Sequence, residues 1–103
     1  MNVFITGTSS GIGKGLAQEF VSRGHAVWGV SRRDTSFDDA TGTYVHCNVD
    51  LTDFDAVKKL IPDFISDVHV FDLVILNAGV LGDIALMPEL DVVEMKRVME
   101  SIA

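Results

Sequence analysis

Cysteine is almost missing from this sequence, in which Cys47 is the single thiol among 103 residues. One thiol cannot form an internal disulfide or a multi-cysteine metal site. We therefore interpret Cys47 as a buried core thiol of a protein kept in a reduced compartment. Long apolar runs are missing as well, and no stretch approaches the roughly 20 residues needed to span a bilayer.

Positive charge is also scarce, with 8 Lys and Arg residues against 15 Asp and Glu residues and a formal net charge of −7. An acidic surface repels nucleic acid and anionic membranes, so neither is expected as a partner. The first residues lead directly into a strand pattern and lack the basic segment and long apolar segment of a secretory signal. We expect a cytoplasmic protein in which local positive groups hold any phosphate-bearing ligand.

The length predicts a single domain over residues 1–103. Apolar runs predict four buried strands, and apolar residues at helical spacing predict three helices between and after them. Strands alternating with helices indicate an α/β fold, a Rossmann-like doubly wound parallel sheet in the order 3-2-1-4 with helices on both faces. The predicted strands are residues 3–5, 26–30, 43–48 and 71–76.

Individual residues indicate where the helices begin and end. Gly24 follows the first helix, residues 12–23, as a C′ glycine. Thr52 suits the N-cap of the second helix, and Pro62 is expected to break or kink it. Pro88 is expected near the first position of a third helix over residues 88–99, where its missing N–H costs least.

The sequence T-G-T-S-S-G-I-G follows the first strand and opens the first helix. Gly7 permits a sharp exit from the strand, Gly11 lets the backbone approach a pyrophosphate, and Gly13 lets the helix pack close to the sheet. Free backbone N–H groups at the helix start favour phosphates, and Ser9 and Ser10 add hydroxyl donors. The spacing differs from G-x-G-x-x-G, but the strand-to-helix context is the one such a site requires. The alternative is a structural turn that binds no ligand.

Three segments together resemble the short-chain dehydrogenase/reductase family. The glycine-rich turn resembles its nucleotide-binding motif. L-N-A-G at residues 76–79 resembles its N-N-A-G motif with leucine in first place, and D-L-T-D at residues 50–53 lies where the family has an acidic residue that contacts the adenine. The resemblance covers essentially the whole chain, but only the N-terminal part of a family member.

This resemblance implies a dinucleotide cofactor site made of three groups of residues. One group holds the pyrophosphate and its riboses, a second flanks the adenine, and a third lines the ribose side and braces the middle of the sheet. Asn48 is an alternative to Asp50 in the second group. The three groups are Gly7, Ser9, Gly11, Ile12 and Gly13; Asp50 and Leu51; and Asn77, Ala78 and Gly79.

The end of the second strand favours NADP over NAD. A carboxylate there would accept hydrogen bonds from the ribose 2′-hydroxyl and repel a 2′-phosphate. This sequence has instead Ser31, a small hydroxyl, and Arg32, a guanidinium suited to phosphate. Arg33 would point the opposite way in an extended segment, and Asp34 falls too late to serve as the ribose acceptor. The alternative is that both arginines are solvated loop cations.

A catalytic apparatus is not recognisable. The family uses Tyr-x-x-x-Lys, in which a lysine makes a tyrosine useful as a general acid or base. The single tyrosine here, Tyr44, has Asn48 four residues later, and we interpret it as a packing residue with a hydrated hydroxyl. His25, His46 and His69 are expected at strand ends or on the surface. We expect no catalytic residue and no metal ligand.

We therefore expect the truncated, NADP(H)-binding N-terminal part of an oxidoreductase that acts on a carbonyl or alcohol substrate in the complete protein. The alternative is a non-catalytic nucleotide-binding or partner-binding module. With no strand beyond it, the fourth strand would present an unpaired apolar edge. Self-association through that strand or through the last helix is therefore expected.

Overall fold

The computed structural model describes residues 1–9, 11–37, 41–77, 84–91, 93–95 and 97. These residues form a five-stranded sheet with helices packed against both of its faces. Neither of the two full-length helices described is long and apolar enough to cross a membrane. The elements are β1 (Asn2–Thr6), α1 (Gly11–Ser22), β2 (Ala26–Ser31), β3 (Thr43–Asn48), α2 (Phe54–Phe64), β4 (Val70–Asn77) and β5 (Ile84–Asp91).

The strand order is β3-β2-β1-β4-β5. The first four strands are mutually parallel, which confirms the predicted doubly wound order of 3-2-1-4. β1 lies in the middle, with β2 on one side and β4 on the other. The carboxyl ends of these three strands therefore meet at one edge of the sheet, where ligands of such folds bind.

Alternate residues of β1 point to opposite faces of the sheet and enter separate cores. Phe4 belongs to the core beneath α2, together with Ile61 of that helix. Val3 and Ile5 belong to the core beneath α1, together with Val21. Because both faces of β1 are covered, its three middle residues are all apolar, as expected for a central parallel strand.

The end of α1 follows the sequence prediction. Gly24 has a positive φ of 87°. Its N–H donates to the Val21 carbonyl at 3.0 Å, and the N–H of His25 donates to the Phe20 carbonyl at 3.0 Å. This pair of bonds is a Schellman motif, which satisfies the last carbonyls of the helix and favours glycine at the left-handed position.

The start of α2 differs by one residue from the prediction. Asp53 is the N-cap, and its carboxylate accepts a hydrogen bond from the Ala56 N–H at 3.2 Å. Thr52 was the wrong choice because its hydroxyl bonds to Asp50 instead. Pro62 lies inside α2, which continues to Phe64, so it does not end the helix.

Cys47 is half-buried on β3 rather than fully buried. Its side chain packs against the core beneath α2. Burial raises the pKa of the thiol above its ordinary value of 9.0, which disfavours the reactive thiolate. The prediction of an unreactive thiol is compatible with this setting.

The predicted third helix is wrong over its first four residues. Pro88 lies in β5, opposite Leu73 of β4, in an antiparallel pairing. Proline is tolerated in an edge strand because no neighbour there needs its missing N–H. Among the described residues after β5, residues 93–95 are helical, and the Asp91 carboxylate accepts from the Glu94 N–H at 2.8 Å. The remainder of the prediction falls partly outside the described residues.

β5 also corrects the prediction about the sheet edge. The sheet has five strands rather than four, and β5 pairs with β4 along nearly its whole length. The backbone groups of β4 that were expected to be unpaired are therefore satisfied by β5. The fourth strand therefore does not present the unpaired edge on which self-association was predicted.

Candidate functional site

Gly7 and Gly13 bring the start of α1 against the end of β1. Gly7 has a φ of 74°, a conformation that L side chains rarely adopt, and its N–H donates to the Val30 carbonyl at 2.7 Å. A Cβ atom on Gly13 would collide with the Gly7 carbonyl oxygen and lie 2.8 Å from the carbonyl carbon. The structural tasks predicted for these two glycines, a sharp exit from the strand and close helix packing, are confirmed.

Gly11 faces open space. Its φ is 59°, and a Cβ atom added there would meet no heavy atom within 4 Å. No hydrogen bond between described residues uses the N–H of Ser9, Gly11, Ile12 or Gly13. The first N–H groups of a helix have no intrahelical acceptor, so they favour an anionic ligand.

Ile12 is an apolar residue that the helix leaves uncovered. Its side chain is 54% exposed, whereas Ala17 and Val21 of the same helix are buried. The exposed side chain lies in the first turn of α1, beside the open N–H groups. A ligand held by those groups would cover it.

Thr6 and Asn77 join the ends of β1 and β4. The Asn77 N–H donates to the Thr6 hydroxyl oxygen at 2.9 Å, and that hydroxyl lies 3.4 Å from the Asn77 carbonyl. The Asn77 side-chain amide lies beside both glycines, 3.1 Å from the Cβ position of Gly7 and 3.0 Å from that of Gly13. Asn77 thus braces the middle of the sheet. Ala78 and Gly79, predicted alongside it, lie outside the described residues.

The end of β2 forms a short turn closed by Ser31. This side chain is buried, and its hydroxyl donates to the Arg33 carbonyl at 2.7 Å. The hydroxyl hydrogen that was expected to face a ligand is therefore used inside the turn. Arg32 and Arg33 are exposed, and no ion pair between described residues uses either guanidinium.

Asp50 and Leu51 follow β3, and one forms hydrogen bonds whereas the other packs against the core. One carboxylate oxygen of Asp50 accepts from the Thr52 N–H at 2.9 Å and from the Thr52 hydroxyl at 2.7 Å. These bonds, with a smaller contribution from the nearby Arg32, hold the pKa of Asp50 below its ordinary value. Leu51 is half-buried against the core beneath α2.

Asn48, the alternative to Asp50, bonds within the protein. Its side-chain amide donates to the Asp34 carboxylate at 2.6 Å. Asp34 follows the end of β2 by three residues, as the sequence indicated, and is exposed. This bond ties the loop after β2 to the end of β3.

The sequence analysis missed four hydrogen-bonded polar side chains, two of which lie on β3. Thr8 Oγ1 lies 2.7 Å from Tyr44 Oη, and Tyr44 Oη lies 2.6 Å from His46 Nδ1. His46 Nε2 in turn lies 3.3 Å from Ser31 Oγ. The Tyr44 hydroxyl is therefore bonded to protein, and the prediction that it is hydrated was wrong. Burial raises the pKa of this phenol, and the bond to Thr8 only partly offsets that effect.

One feature of the sequence could have indicated this row of hydrogen-bonded side chains. Tyr44 and His46 are separated by two positions, so they lie on the same face of β3. Gly29 of β2 lies opposite His46, and the ring of Tyr44 packs against it so closely that a Cβ atom on Gly29 would collide with the ring. A glycine inside a strand pattern marks the close approach of another group.

Known proteins resemble this chain in both sequence and structure. The family model described as short chain dehydrogenase matches residues 1–101. The 3-ketodihydrosphingosine reductase of Bacteroides thetaiotaomicron is 36% identical over 77 residues, which are 75% of this chain and 28% of that protein. A 3-oxoacyl-[acyl-carrier-protein] reductase of Chlamydia muridarum is 33% identical over 91 residues, which are 81% of this chain and 37% of that protein.

A solved structure of a reductase resembles this chain as well. The NADH-dependent reductase A1-R′, crystallised in complex with NAD, superposes with a TM-score of 0.61 and 26% identity over 76% of this chain and 36% of that one. The chain thus spans roughly a third of the length of the relatives it matches. The matched part contains the glycine-rich turn and the strands around it.

Proposed function

This chain belongs to the short-chain dehydrogenase/reductase family, and we propose that it is the NADP(H)-binding part of an oxidoreductase acting on a carbonyl or alcohol substrate in the complete protein. A nicotinamide dinucleotide is the cofactor that the family and the NAD-complexed neighbour support. The observation that carries the proposal is the turn at Gly11, where a positive φ and open space coincide with N–H groups that no bond between described residues uses.

The proposed site has three parts. The turn and the start of α1 would hold the pyrophosphate, because their N–H groups and the helix dipole favour negative charge. The ends of β3 and β4 would hold the adenine and the nicotinamide-side ribose, as the resemblance implies. The proposed residues are Gly7, Ser9, Gly11, Ile12 and Gly13; Asp50 and Leu51; Asn77, Ala78 and Gly79; and, for the 2′-phosphate, Arg32 on the turn that Ser31 closes.

The preference for NADP rests on the end of β2. The last residue of β2 is Ser31 and not an acidic residue, and the exposed Arg32 follows it directly. The carboxylate of Asp34 accepts from Asn48. A free guanidinium can bind a phosphate with two parallel bonds. Because the neighbouring solved structure is an NADH-dependent reductase, the affinities for NADPH and NADH must be compared directly.

Titration of the 103-residue chain with NADPH and with NADH tests this proposal. Arg32→Ala is expected to weaken NADPH binding by roughly ten- to hundredfold, the range of a lost charge-assisted bond, and to leave NADH binding nearly unchanged. Arg23→Ala is the matched control. Arg23 is also exposed, but it pairs with Glu19 just beyond the other end of α1. Equal weakening of both cofactors by Arg32→Ala contradicts the assignment of the 2′-phosphate site.

These residues are proposed to bind cofactor without catalysing hydride transfer by themselves. The sequence has no lysine four residues after its single tyrosine. The hydroxyl of Tyr44 bonds to Thr8 and His46, within the sheet. Steady oxidation of NADPH by the 103-residue chain in the presence of carbonyl compounds would contradict this part of the proposal.

Three further properties remain proposals. The single free thiol and the acidic composition support a cytoplasmic location. The shared sheet supports a single dinucleotide-binding domain over residues 1–103. Self-association, if it occurs, must use a surface other than the edge of β4, and sedimentation at increasing protein concentration measures it.

A further inference from the structure

Four side chains form an unbroken chain of hydrogen bonds from the glycine-rich turn to the end of β2. The chain runs from Thr8 through Tyr44 and His46 to Ser31, and it ends at the Arg33 carbonyl. Successive distances are 2.7, 2.6, 3.3 and 2.7 Å. Thr8 and Ser31 are both buried, so neither end of the chain can readily exchange its partner for water.

For a neutral ring of His46, counting hydrogens fixes the direction of every bond in this chain. A carbonyl oxygen can only accept, so Ser31 gives its one hydroxyl hydrogen to Arg33. The contact between Ser31 and His46 must then use the N–H of His46 Nε2. A neutral imidazole has one N–H, so Nδ1 accepts from Tyr44. The Tyr44 hydroxyl has then given up its hydrogen and accepts from Thr8.

This direction limits what the two ends can do for a ligand. The hydroxyl hydrogens of Thr8 and Ser31 are both committed to protein acceptors, and a phosphate can only accept. Neither hydroxyl therefore donates to a bound phosphate while the chain is intact. Both instead hold backbone in place: Thr8 holds the glycine-rich turn, and Ser31 holds the turn that carries Arg32.

The surrounding packing keeps the chain in register. The Tyr44 ring lies where Gly29 has no side chain, because a Cβ atom there would be 2.6 Å from two ring carbons. Phe37 packs edge-on against the other side of this ring, with centroids 4.8 Å apart. The ring therefore has little freedom, and its hydroxyl can orient His46.

We infer that Tyr44 and His46 are positioning residues for the adenosine 2′-phosphate, and that His46 sets the preference for NADPH over NADH by fixing Ser31 and the turn that carries Arg32. This inference rests on the proposed function. It adds a pair of residues on β3 that are not proposed to contact the phosphate themselves. They act through Thr8 at one end and through Ser31 at the other.

Two substitutions of His46 distinguish the bond made by Nε2 from the bond made by Nδ1. The amide of glutamine in His46→Gln reaches about as far as Nε2 and can still donate to Ser31. The amide of asparagine in His46→Asn reaches only about as far as Nδ1, so it can accept from Tyr44 but loses Ser31. Val45→Thr is the control, because Val45 neighbours His46 on β3 but points to the opposite face and is 46% exposed.

The measurement is the affinity of each folded variant for NADPH and for NADH. His46→Asn is expected to weaken NADPH binding by about three- to tenfold, the range of one lost hydrogen bond, while NADH binding changes by less than about twofold. His46→Gln and Val45→Thr should keep the wild-type preference. Ser31→Ala removes the bond to His46 and also the bond to the Arg33 carbonyl, so it should weaken NADPH binding at least as much as His46→Asn. The double variant should be no worse than Ser31→Ala alone, because the bond lost in His46→Asn is already missing there.

The outcomes distinguish this inference from the proposed function. A wild-type chain that binds neither dinucleotide overturns the proposed function and this inference with it. A wild-type chain that prefers NADPH, combined with an unchanged preference in His46→Asn, overturns the inference alone. Equal weakening of both cofactors also overturns it, since that result indicates a purely structural role.

A second measurement uses only the wild-type protein without a ligand. Nitrogen-15 chemical shifts of the histidine ring in the free wild-type chain report which nitrogen carries the hydrogen. The deduced direction requires the neutral ring of His46 to carry it on Nε2. A neutral ring with its hydrogen on Nδ1 overturns the inference even if His46→Asn fails to fold.

Discussion

The Cβ position of Gly13 points at the carbonyl oxygen of Gly7, so closely that no side chain fits between the first turn of α1 and the end of β1. The obstacle is backbone, which cannot swing away as the end of a flexible side chain can. The approach of helix to strand therefore depends on the missing side chain. The same approach directs the first N–H groups of α1 to the carboxyl edge of the sheet.

Gly13→Ala should therefore destabilise the fold. We expect the free energy of unfolding to fall by about 1–3 kcal/mol, as for an overpacked core, although alanine favours helix. Gly15→Ala is the matched control in the same helix. A Cβ atom there meets nothing within 4 Å, so this variant should gain roughly 0.5–1 kcal/mol. Urea unfolding of both variants measures the difference, and equal stabilities would contradict the contact.

Gly11→Ala should affect binding more than stability. Its positive φ costs an L residue about 1–2 kcal/mol, but the new methyl group would point into open space. If the diphosphate occupies that space, NADPH binding should weaken roughly tenfold or more. Gly24→Ala imposes the same kind of strain, at a φ of 87° near the other end of α1. It should lose stability alone, and a similar loss of binding in both variants would argue against a diphosphate at Gly11.

The glycine-rich turn and the end of α1 could be predicted from the sequence because local chemistry determines them. A left-handed residue after a helix and a close helix-to-strand approach both favour glycine, whatever lies far away. Gly24 and Gly13 therefore occupy the conformations and contacts that their positions predicted. The order of the four parallel strands followed from the alternation of strands and helices.

Pro88 shows where local chemistry was insufficient. The first turn of a helix and an edge strand both tolerate a proline, for the same reason that neither needs its N–H. The choice between them depends on whether an unpaired strand is available nearby. β4 supplies one, and the pairing of β5 with it satisfies a row of backbone groups. β4 directly precedes β5 in the chain, but the composition around Pro88 alone does not indicate that β4 has an edge to pair with.

Tyr44 and His46 were misjudged for a related reason. Their spacing places them on one face of β3, but it does not say which groups lie across from that face. Thr8 comes from the loop after β1, and Ser31 comes from the end of β2. Both become neighbours only when three strands are aligned. A buried polar network of this kind depends on tertiary structure, and each member needs its partners to be satisfied.

The carboxylate of Asp50 predicts a pH dependence of stability. The Thr52 N–H and hydroxyl, with Arg32, hold its pKa below the ordinary value of 3.8 in the folded chain. A carboxyl group with a depressed folded pKa stabilises the fold above its unfolded pKa, and this stability is lost as the pH falls through the folded pKa. Thr52→Val removes the hydroxyl bond, so the pKa of Asp50 should move upward and acid unfolding should begin at higher pH.

Thr52→Ser keeps a hydroxyl at the same place and is the control for that prediction. Carbon-detected titration of the Asp50 carboxyl in the three chains measures the pKa directly, and circular dichroism follows acid unfolding. If Thr52→Val leaves the titration of Asp50 where it is in the wild type, the hydroxyl bond does not stabilise the carboxylate. Added salt should weaken the contribution of Arg32 in all three chains alike and leave the difference due to the hydroxyl bond.

Thr6→Val tests the bridge between the middle strands. Valine has nearly the shape of threonine, but it offers no oxygen to the Asn77 N–H, which now donates to the Thr6 hydroxyl at 2.9 Å. An N–H left without an acceptor at a partly buried site costs about 1–3 kcal/mol of stability. Asn77 would also lose the contact that holds its side chain beside Gly7 and Gly13, so NADPH binding should weaken with it.

Thr6→Ser separates this bridge from simple packing. Serine keeps the hydroxyl but loses a buried methyl group, so it should lose some stability from packing while hydrogen exchange at the Asn77 N–H stays slow. Thr6→Val should speed that exchange selectively, relative to the N–H groups of β1 and β4 that pair within the sheet. If exchange at Asn77 is equally slow in both variants, its N–H has found another acceptor. The ends of β1 and β4 would then be joined without the Thr6 hydroxyl.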